Sequence, residues 1–199
     1  MGKKIDIEYN EKLDYKNLDK VVKIASIKKS NKELLPVIYR ADFQQAISNA
    51  TRVKNAVGEF AFFGIKEGTN KGEILVDNNF INLYNNGKKE ICLGILAHEY
   101  GHYVDDKNGT RHDKGFDAAL KADITADMYG VEATSRMTIL NTLIYMKDYY
   151  EKLKDDKYKA SIYMLNERID KSSKHNQKLN EDWYLSINLF SLLMISVVL

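Results

Sequence analysis

The five residues His98-Glu99-Tyr100-Gly101-His102 contain two side chains that can bind a metal ion and one that can act as a base. In a helix, residues four apart lie on the same face, so His98 and His102 would stand about 6 Å apart along the axis and converge on one ion. Zinc accepts imidazole nitrogens, and its catalytic sites commonly combine three protein ligands with a water molecule. Glu99 would reach that water instead of the metal. The segment therefore predicts a catalytic zinc site.

A third ligand must come from another segment, and two aspartates that are again four residues apart, Asp123 and Asp127, are the best candidates. On a helix that faces the first one, Asp123 could bind the metal. Asp127 could accept a hydrogen bond from the outer nitrogen of a ligand histidine and so fix its tautomer. The alternative is that the two are exposed carboxylates on a solvated turn, and the histidine motif favours the metal site over it.

The expected reaction is hydrolysis of a peptide bond. Zinc would lower the pKa of a bound water and polarise the scissile carbonyl. Glu99 would take a proton from that water and later deliver it to the leaving amine. A cationic or phenolic side chain should stabilise the oxyanion, and the candidates are Arg168, His175 and Tyr129.

The histidine motif needs a helix, and the preceding residues predict one over 89–104. Ile91, Ile95, His98 and His102 form one stripe at helical spacing, so the apolar half would pack inward and the ligands would face a sheltered cavity. The second pair of candidates needs another helix, and residues 116–134 are compatible with it. Apolar residues at helical spacing continue from Met137 toward Lys154. A partner helix is expected over 158–170, with a polar loop at 172–177.

The first half of the chain predicts two helices and then a small sheet. Apolar spacing favours helices at Leu13–Lys28 and Ala41–Val53. Short apolar runs between glycine and asparagine turns favour strands at Phe60–Phe63, Ile74–Val76 and Phe80–Tyr84. Helices, a small sheet and a helical second half together predict an α+β fold.

The length of 199 residues favours one domain, which we place at residues 1–182. It would comprise N-terminal helices at 1–55 and a catalytic core at 56–170. Residues 183–199 carry no charge. Three interpretations of this segment stay open: a core-packing helix or strand, a membrane anchor, either of which suits its length, or a truncation point of the natural chain.

Composition excludes some partners. The formal charge is only +2 and the lysines are spread along the chain, so nucleic-acid binding is not expected. Residues 1–15 lack an apolar run of secretory length, and the single cysteine, Cys92, cannot form an internal disulfide. We expect a cytoplasmic protein whose partner is a peptide or protein, membrane-associated if residues 183–199 form an anchor. Cys92 is expected to be a small core residue.

The motifs at 98–102 and 123–130 resemble those of the gluzincin metallopeptidases, most closely the group that contains the CAAX prenyl protease and the membrane heat-shock proteases. That group pairs His-Glu-Leu-Gly-His with Glu-x-x-Ala-Asp-x-x-(Ala/Gly), and this chain has Asp123-Ile-Thr-Ala-Asp127-Met-Tyr-Gly130. Asn166-Glu-Arg-Ile-Asp170 is similar to a late Glu-Arg-Ile segment of such domains. The resemblance spans about residues 56–170 and implies a zincin-like metallopeptidase fold.

Two departures from that family concern the site. Asp123 stands where the family has glutamate, and because aspartate is one methylene shorter, the two helices must approach more closely or the metal is held less well. The family's histidine and proline ahead of Glu-Arg-Ile are absent, and Tyr163-Met-Leu165 occupies that region.

The identity of the substrate is left open by the sequence. An extended peptide could pair with an exposed sheet edge, either Asn78–Tyr84 or Phe60–Phe63. One alternative function is a regulatory peptidase of a phage or mobile element that cleaves a repressor. Another is a non-catalytic binding module that keeps a zincin-like fold.

Overall fold

The computed structural model describes residues 4–51, 60–65, 69, 71–109 and 115–173. Within those ranges, no helix combines the length and the apolar character needed to cross a bilayer. The uncharged segment 183–199 lies outside the described residues, as do His175 and most of the predicted loop at 172–177.

The described chain is α+β, with a five-stranded sheet formed in the first 76 residues and a helical second half. The strands are β1 (Asp6–Tyr9), β2 (Val21–Lys29), β3 (Lys32–Arg40), β4 (Ala61–Ile65) and β5 (Gly72–Val76). The helices are α1 (Phe43–Thr51), α2 (Asn78–Asn85), α3 (Lys89–Lys107), α4 (Phe116–Ala133) and α5 (Arg136–Leu153). A short 3₁₀ turn at Asp156–Tyr158 leads into helical residues 159–173, here α6.

The sheet is mixed and has the strand order β1-β2-β3-β5-β4. Only β3 and β5 pair in parallel, while the other neighbours are antiparallel. Strands β2 and β3 are joined by Ser30 and Asn31, both with positive φ, which is the backbone of a tight two-residue hairpin turn. The strand order places β4 at one edge of the sheet, next to β5, which leads into the helices.

Alternating side chains divide the sheet between two apolar clusters. Ile74 and Val76 of β5 join the main core, which continues into α3 through residues such as Leu96. Leu75, between them, points to the opposite face and packs with Phe43 and Ile47 of α1. The helix predicted at 41–53 is thus confirmed over Phe43–Thr51, and its apolar face is confirmed for Phe43, Ala46 and Ile47.

Cys92 lies in the main core as a free, fully buried thiol, as predicted. Burial raises its pKa to about 12, so the thiol stays protonated at neutral pH. This cysteine therefore acts as a small core residue.

Two secondary-structure predictions were wrong. The segment Leu13–Lys28 contains strand β2 instead of a helix, and the N-terminal region at 1–55 supplies three strands and one helix. Irregular pairing after Lys23 and Ile27 breaks the alternation of β2, so four consecutive residues, 24–27, are buried and the strand lacks the period of two that would have revealed it. Phe80–Tyr84 belongs to helix α2 and not to the sheet.

The start of α2 explains that second error. Asp77 precedes the helix in an extended conformation, and its carboxylate accepts a hydrogen bond from the backbone N–H of Phe80 at 2.9 Å. This is the geometry of an N-cap, which satisfies a donor that the first helical turn leaves free.

The helices predicted at 89–104, 116–134, 137–154 and 158–170 are all present, with shifts of a few residues at their ends.

Candidate metal centre

The side chains of His98, His102 and Asp123 converge between α3 and α4. The two Nε2 atoms lie 3.2 Å apart. Asp123 Oδ1 lies 3.4 Å from His102 Nε2 and 4.0 Å from His98 Nε2. All three donor atoms fall within 4.8 Å of one another. The sequence prediction that these three residues meet at one place is therefore matched by the geometry.

The spacing of these donors fits a zinc ion. Ligands held at about 2.0–2.1 Å in a tetrahedron stand about 3.3 Å from one another. The three measured separations bracket that value. Two imidazoles and one carboxylate are also a donor set that zinc uses in catalytic sites, with a fourth position left for water. His98, His102 and Asp123 could thus hold the metal.

Asp127 fixes the orientation of His98. Its Oδ1 lies 2.8 Å from His98 Nδ1, as predicted. Because Oδ1 can only accept, we assign the proton to Nδ1, which leaves the lone pair of Nε2 directed at the proposed metal position. Asp127 is almost fully buried, so this contact is held by the protein and not by solvent.

Arg168 on α6 balances the charge of the two aspartates. Its Nε and Nη2 donate to the two oxygens of Asp127 at 2.7 and 2.8 Å, and Nη1 donates to Asp123 Oδ2 at 3.3 Å. Burial disfavours both charges, but the attraction between them prevails, so the pKa of Asp127 lies well below its usual range and that of Arg168 above it. The guanidinium therefore joins α6 to both candidate functional positions of α4.

Glu99 faces the same space, one residue after the first histidine. Its side chain is buried, and Oε2 accepts a hydrogen bond from the backbone N–H of Phe63 on β4 at 2.6 Å. This contact aims the carboxylate between the metal ligands and the edge strand. The sequence did not predict it, because a backbone donor leaves no signature in residue types.

Helices α3 and α4 lie in close contact beside the candidate metal ligands. A Cβ on Gly101 would stand only 2.1 Å from the backbone oxygen of Ala126, and one on Gly130 would stand 3.1 Å from the backbone oxygen of Ala97. A side chain at Gly101 would displace the backbone of α4, whereas one at Gly130 would need only small shifts, including that of Ile139 Cδ1 at 2.9 Å. Small residues spaced by four on both helices thus allow α3 and α4 to lie close together, a sequence signal from which this contact could have been predicted.

The remaining candidates for oxyanion stabilisation have different surroundings. Arg168 borders the site but is engaged by two carboxylates. The hydroxyl of Tyr129 accepts a hydrogen bond from Asn108 Nδ2 at 2.9 Å, on another face of α4. His175 lies outside the described residues. The oxyanion role therefore stays a prediction for all three.

Comparison with known proteins gave no further assignment, since no family model, curated protein or solved structure matches the chain significantly. The interpretation of the site accordingly depends on its own geometry and chemistry.

Proposed function

We propose that this chain is a zinc-dependent endopeptidase with a zincin-like catalytic domain of the kind its motifs resemble. The observation that carries the proposal is the convergence of His98 Nε2, His102 Nε2 and Asp123 Oδ1 within 4.8 Å, at the spacing of zinc ligands. The buried Glu99 beside them supports hydrolysis over simple metal storage, since a storage or structural site has no need of a general base.

The protein side chains divide the work of hydrolysis. A bound zinc ion would supply Lewis-acid polarisation and a more acidic water. Glu99 accepts a proton from the attacking water and returns it to the leaving amine, and we assign the proton to Oε1 because Oε2 is held by Phe63. Asp127 keeps His98 in the ligand tautomer, while Arg168 keeps Asp127 ionised.

Strand β4 is the proposed binding edge for the peptide. Among the described strands it pairs only with β5, so its other side is free of strand partners there. The hydrogen bond from Phe63 N–H to Glu99 indicates that this free side faces the site. An extended substrate could add to β4 through backbone groups other than the Phe63 N–H, which Glu99 already occupies, and such backbone hydrogen bonds demand little of its sequence. The other edge suggested by the sequence, Asn78–Tyr84, cannot bind a peptide as a strand because it is helical.

Exchange of Glu99 for glutamine tests the proposal. Glu99→Gln keeps the size of the side chain but removes the base, so we expect unchanged zinc content and a fall in casein or peptide cleavage of about 10²–10⁴-fold. Zinc is measured by atomic emission on the same preparations. Glu90→Gln, an exposed change on the same helix, is the matched control and should cleave normally. Undiminished cleavage by Glu99→Gln would refute the proposed mechanism.

A further inference from the structure

A groove of about 270 Å³ lies between α4 and α6, on a different side of α4 from its contact with α3. Ile124, Met128 and Val131 of α4 supply its apolar wall. Met128 is 56% exposed although it lies in this groove. Exposed apolar surface that is grouped in one place marks a site where another segment or molecule binds.

The apolar wall belongs to a longer stripe along α4. Phe116 and Leu120 precede it at a spacing of four residues, which places them on the same side of the helix. Phe116 is exposed and lies against the exposed Tyr163 of α6, with ring centroids 5.7 Å apart. At a rise of 1.5 Å per residue, the stripe from Phe116 to Val131 is about 22 Å long. This length suits a segment of polypeptide better than a small molecule.

The charged residues of the groove leave little demand for a charged occupant. Asp127 and Arg168 form its floor, but Arg168 Nε donates to Asp127 Oδ2 at 2.7 Å, so the two compensate each other. Glu132 and Lys171 border the groove and are exposed. A bilayer pressed against the stripe would desolvate both of them at a cost. A single uncharged segment could cover the apolar wall and leave these two side chains in water.

The chain itself provides such a segment close to the groove. Ser172 of α6 borders the groove, and Arg136 donates hydrogen bonds to the carbonyl oxygens of Ser172 and Ser173. Nine residues, 174–182, then lead to the uncharged segment 183–199. Nine residues span at most about 30 Å, which is enough to reach either end of the stripe. Seventeen residues cover about 25 Å even when helical, close to the length of the stripe.

We propose that residues 183–199 dock in the groove between α4 and α6 and cover the apolar stripe of α4. A segment tethered through a short connection has an effective concentration of about millimolar, so it outcompetes free apolar partners of similar affinity. Of the interpretations that the sequence leaves open, the segment then packs on the domain and does not anchor it in a membrane. The inference is independent of the proposed peptidase function, because none of the candidate metal ligands borders this groove.

Trp183 reports on docking because it is the only tryptophan of the chain. In the full wild-type chain, we expect emission at shorter wavelength and several-fold weaker quenching by acrylamide than in the same chain unfolded in urea. Met128→Lys places a charge in the groove and should move both values toward those in urea, with folding verified by circular dichroism and thermal melting. Val21→Lys is the matched control, since Val21 is 53% exposed on the distant strand β2, and it should leave both values unchanged.

Photo-cross-linking locates the docked segment. The photoreactive residue p-benzoylphenylalanine at position 128 of the full chain should cross-link to residues 183–199 of the same chain. The same residue at position 21 should not. Mass spectrometry of a mixture of isotopically labelled and unlabelled chains separates links within one chain from links between two chains.

Four results would overturn the proposal. Trp183 could be as accessible to acrylamide in the folded chain as in urea. It could be shielded but unaffected by Met128→Lys, without cross-links from position 128, which would place the segment elsewhere. Cross-links between labelled and unlabelled chains would assign the groove to a second copy. Quenching of Trp183 by vesicles of brominated phosphatidylcholine would show insertion into a membrane. None of these readouts involves zinc or cleavage, so the peptidase proposal is tested separately.

Discussion

The contact between α3 and α4 differs from the buried face of the sheet in the size and the charge of its side chains. At the helix contact, Gly101 lies against the backbone of Ala126, and buried charges such as Asp127 lie beside it. The sheet face is filled by large aliphatic residues, including Leu35 and Ile74, which exclude water without any charged partner. Both regions are buried, but among the described residues the candidate metal ligands lie beside the first.

This difference indicates how stability and function are separated in the chain. Aliphatic packing on the sheet supplies apolar burial, the main favourable contribution to folding. The helix contact consists of small residues and buries charges at a cost in free energy. Because the two helices lie close together, side chains from both reach a common point. A change at the sheet should therefore lower stability alone, whereas a change at the helix contact should alter metal binding as well.

The largest loss of stability is expected for Arg168→Met. This change leaves Asp127 buried without its cation, and breaking such a buried pair typically costs about 3–5 kcal/mol in the free energy of unfolding. Urea denaturation measures it. The control is Arg40→Met, which removes a pairing with Asp42 of similar geometry at a partly exposed surface and should cost at most about 1 kcal/mol. Equal losses of unfolding free energy in the two variants would show that the buried pair contributes no more stability than the exposed one.

Leu35→Ala should come next. Leu35 is fully buried in the sheet core, and truncation there creates a cavity that costs about 2–5 kcal/mol. Because the sheet face carries no metal ligand, the folded fraction should still bind zinc with wild-type affinity in a chelator competition. Weaker zinc binding by this variant would contradict the separation of the two regions.

Gly101→Ala should have a smaller effect on stability, about 1–3 kcal/mol, but a clear one on the metal. The new Cβ meets the backbone of Ala126 and pushes α4, with Asp123, away from the histidines. Chelator competition should show weaker zinc binding. Gly94→Ala is the matched control, since its Cβ meets Thr142 of α5 instead and should lower stability without weakening zinc binding. The same zinc affinity in both variants would show that helix approach does not position Asp123.

The helical half of the fold could be predicted because its spacing is regular. Both the histidine helix and the α4 helix were expected within a few residues, and with them the meeting of His98, His102 and Asp123. The sheet was harder to predict, because irregular pairing in β2 leaves four consecutive residues buried and so removes the alternation that marks a strand. Recognition of Asp77 as an N-cap would have corrected the strand predicted at Phe80–Tyr84.

Other parts of the site could not be derived from residue types alone. The bond from Phe63 N–H to Glu99 depends on where β4 lies relative to α3, which follows from the whole sheet topology. The pairing of Arg168 with two aspartates joins residues more than forty positions apart. Long-range contacts of this kind follow from tertiary packing, whereas helical spacing is local.

The most direct test of the central claim is the zinc content of three purified proteins, the wild type, Asp123→Ala and Glu132→Ala, measured by atomic emission after dialysis against trace metal. Glu132 is an exposed carboxylate on the same helix, outside the donor set. We predict about one zinc per chain in the wild type and in Glu132→Ala, and a strong loss in Asp123→Ala. A wild type without zinc, or equal zinc in the two variants, would contradict the assignment of this metal centre.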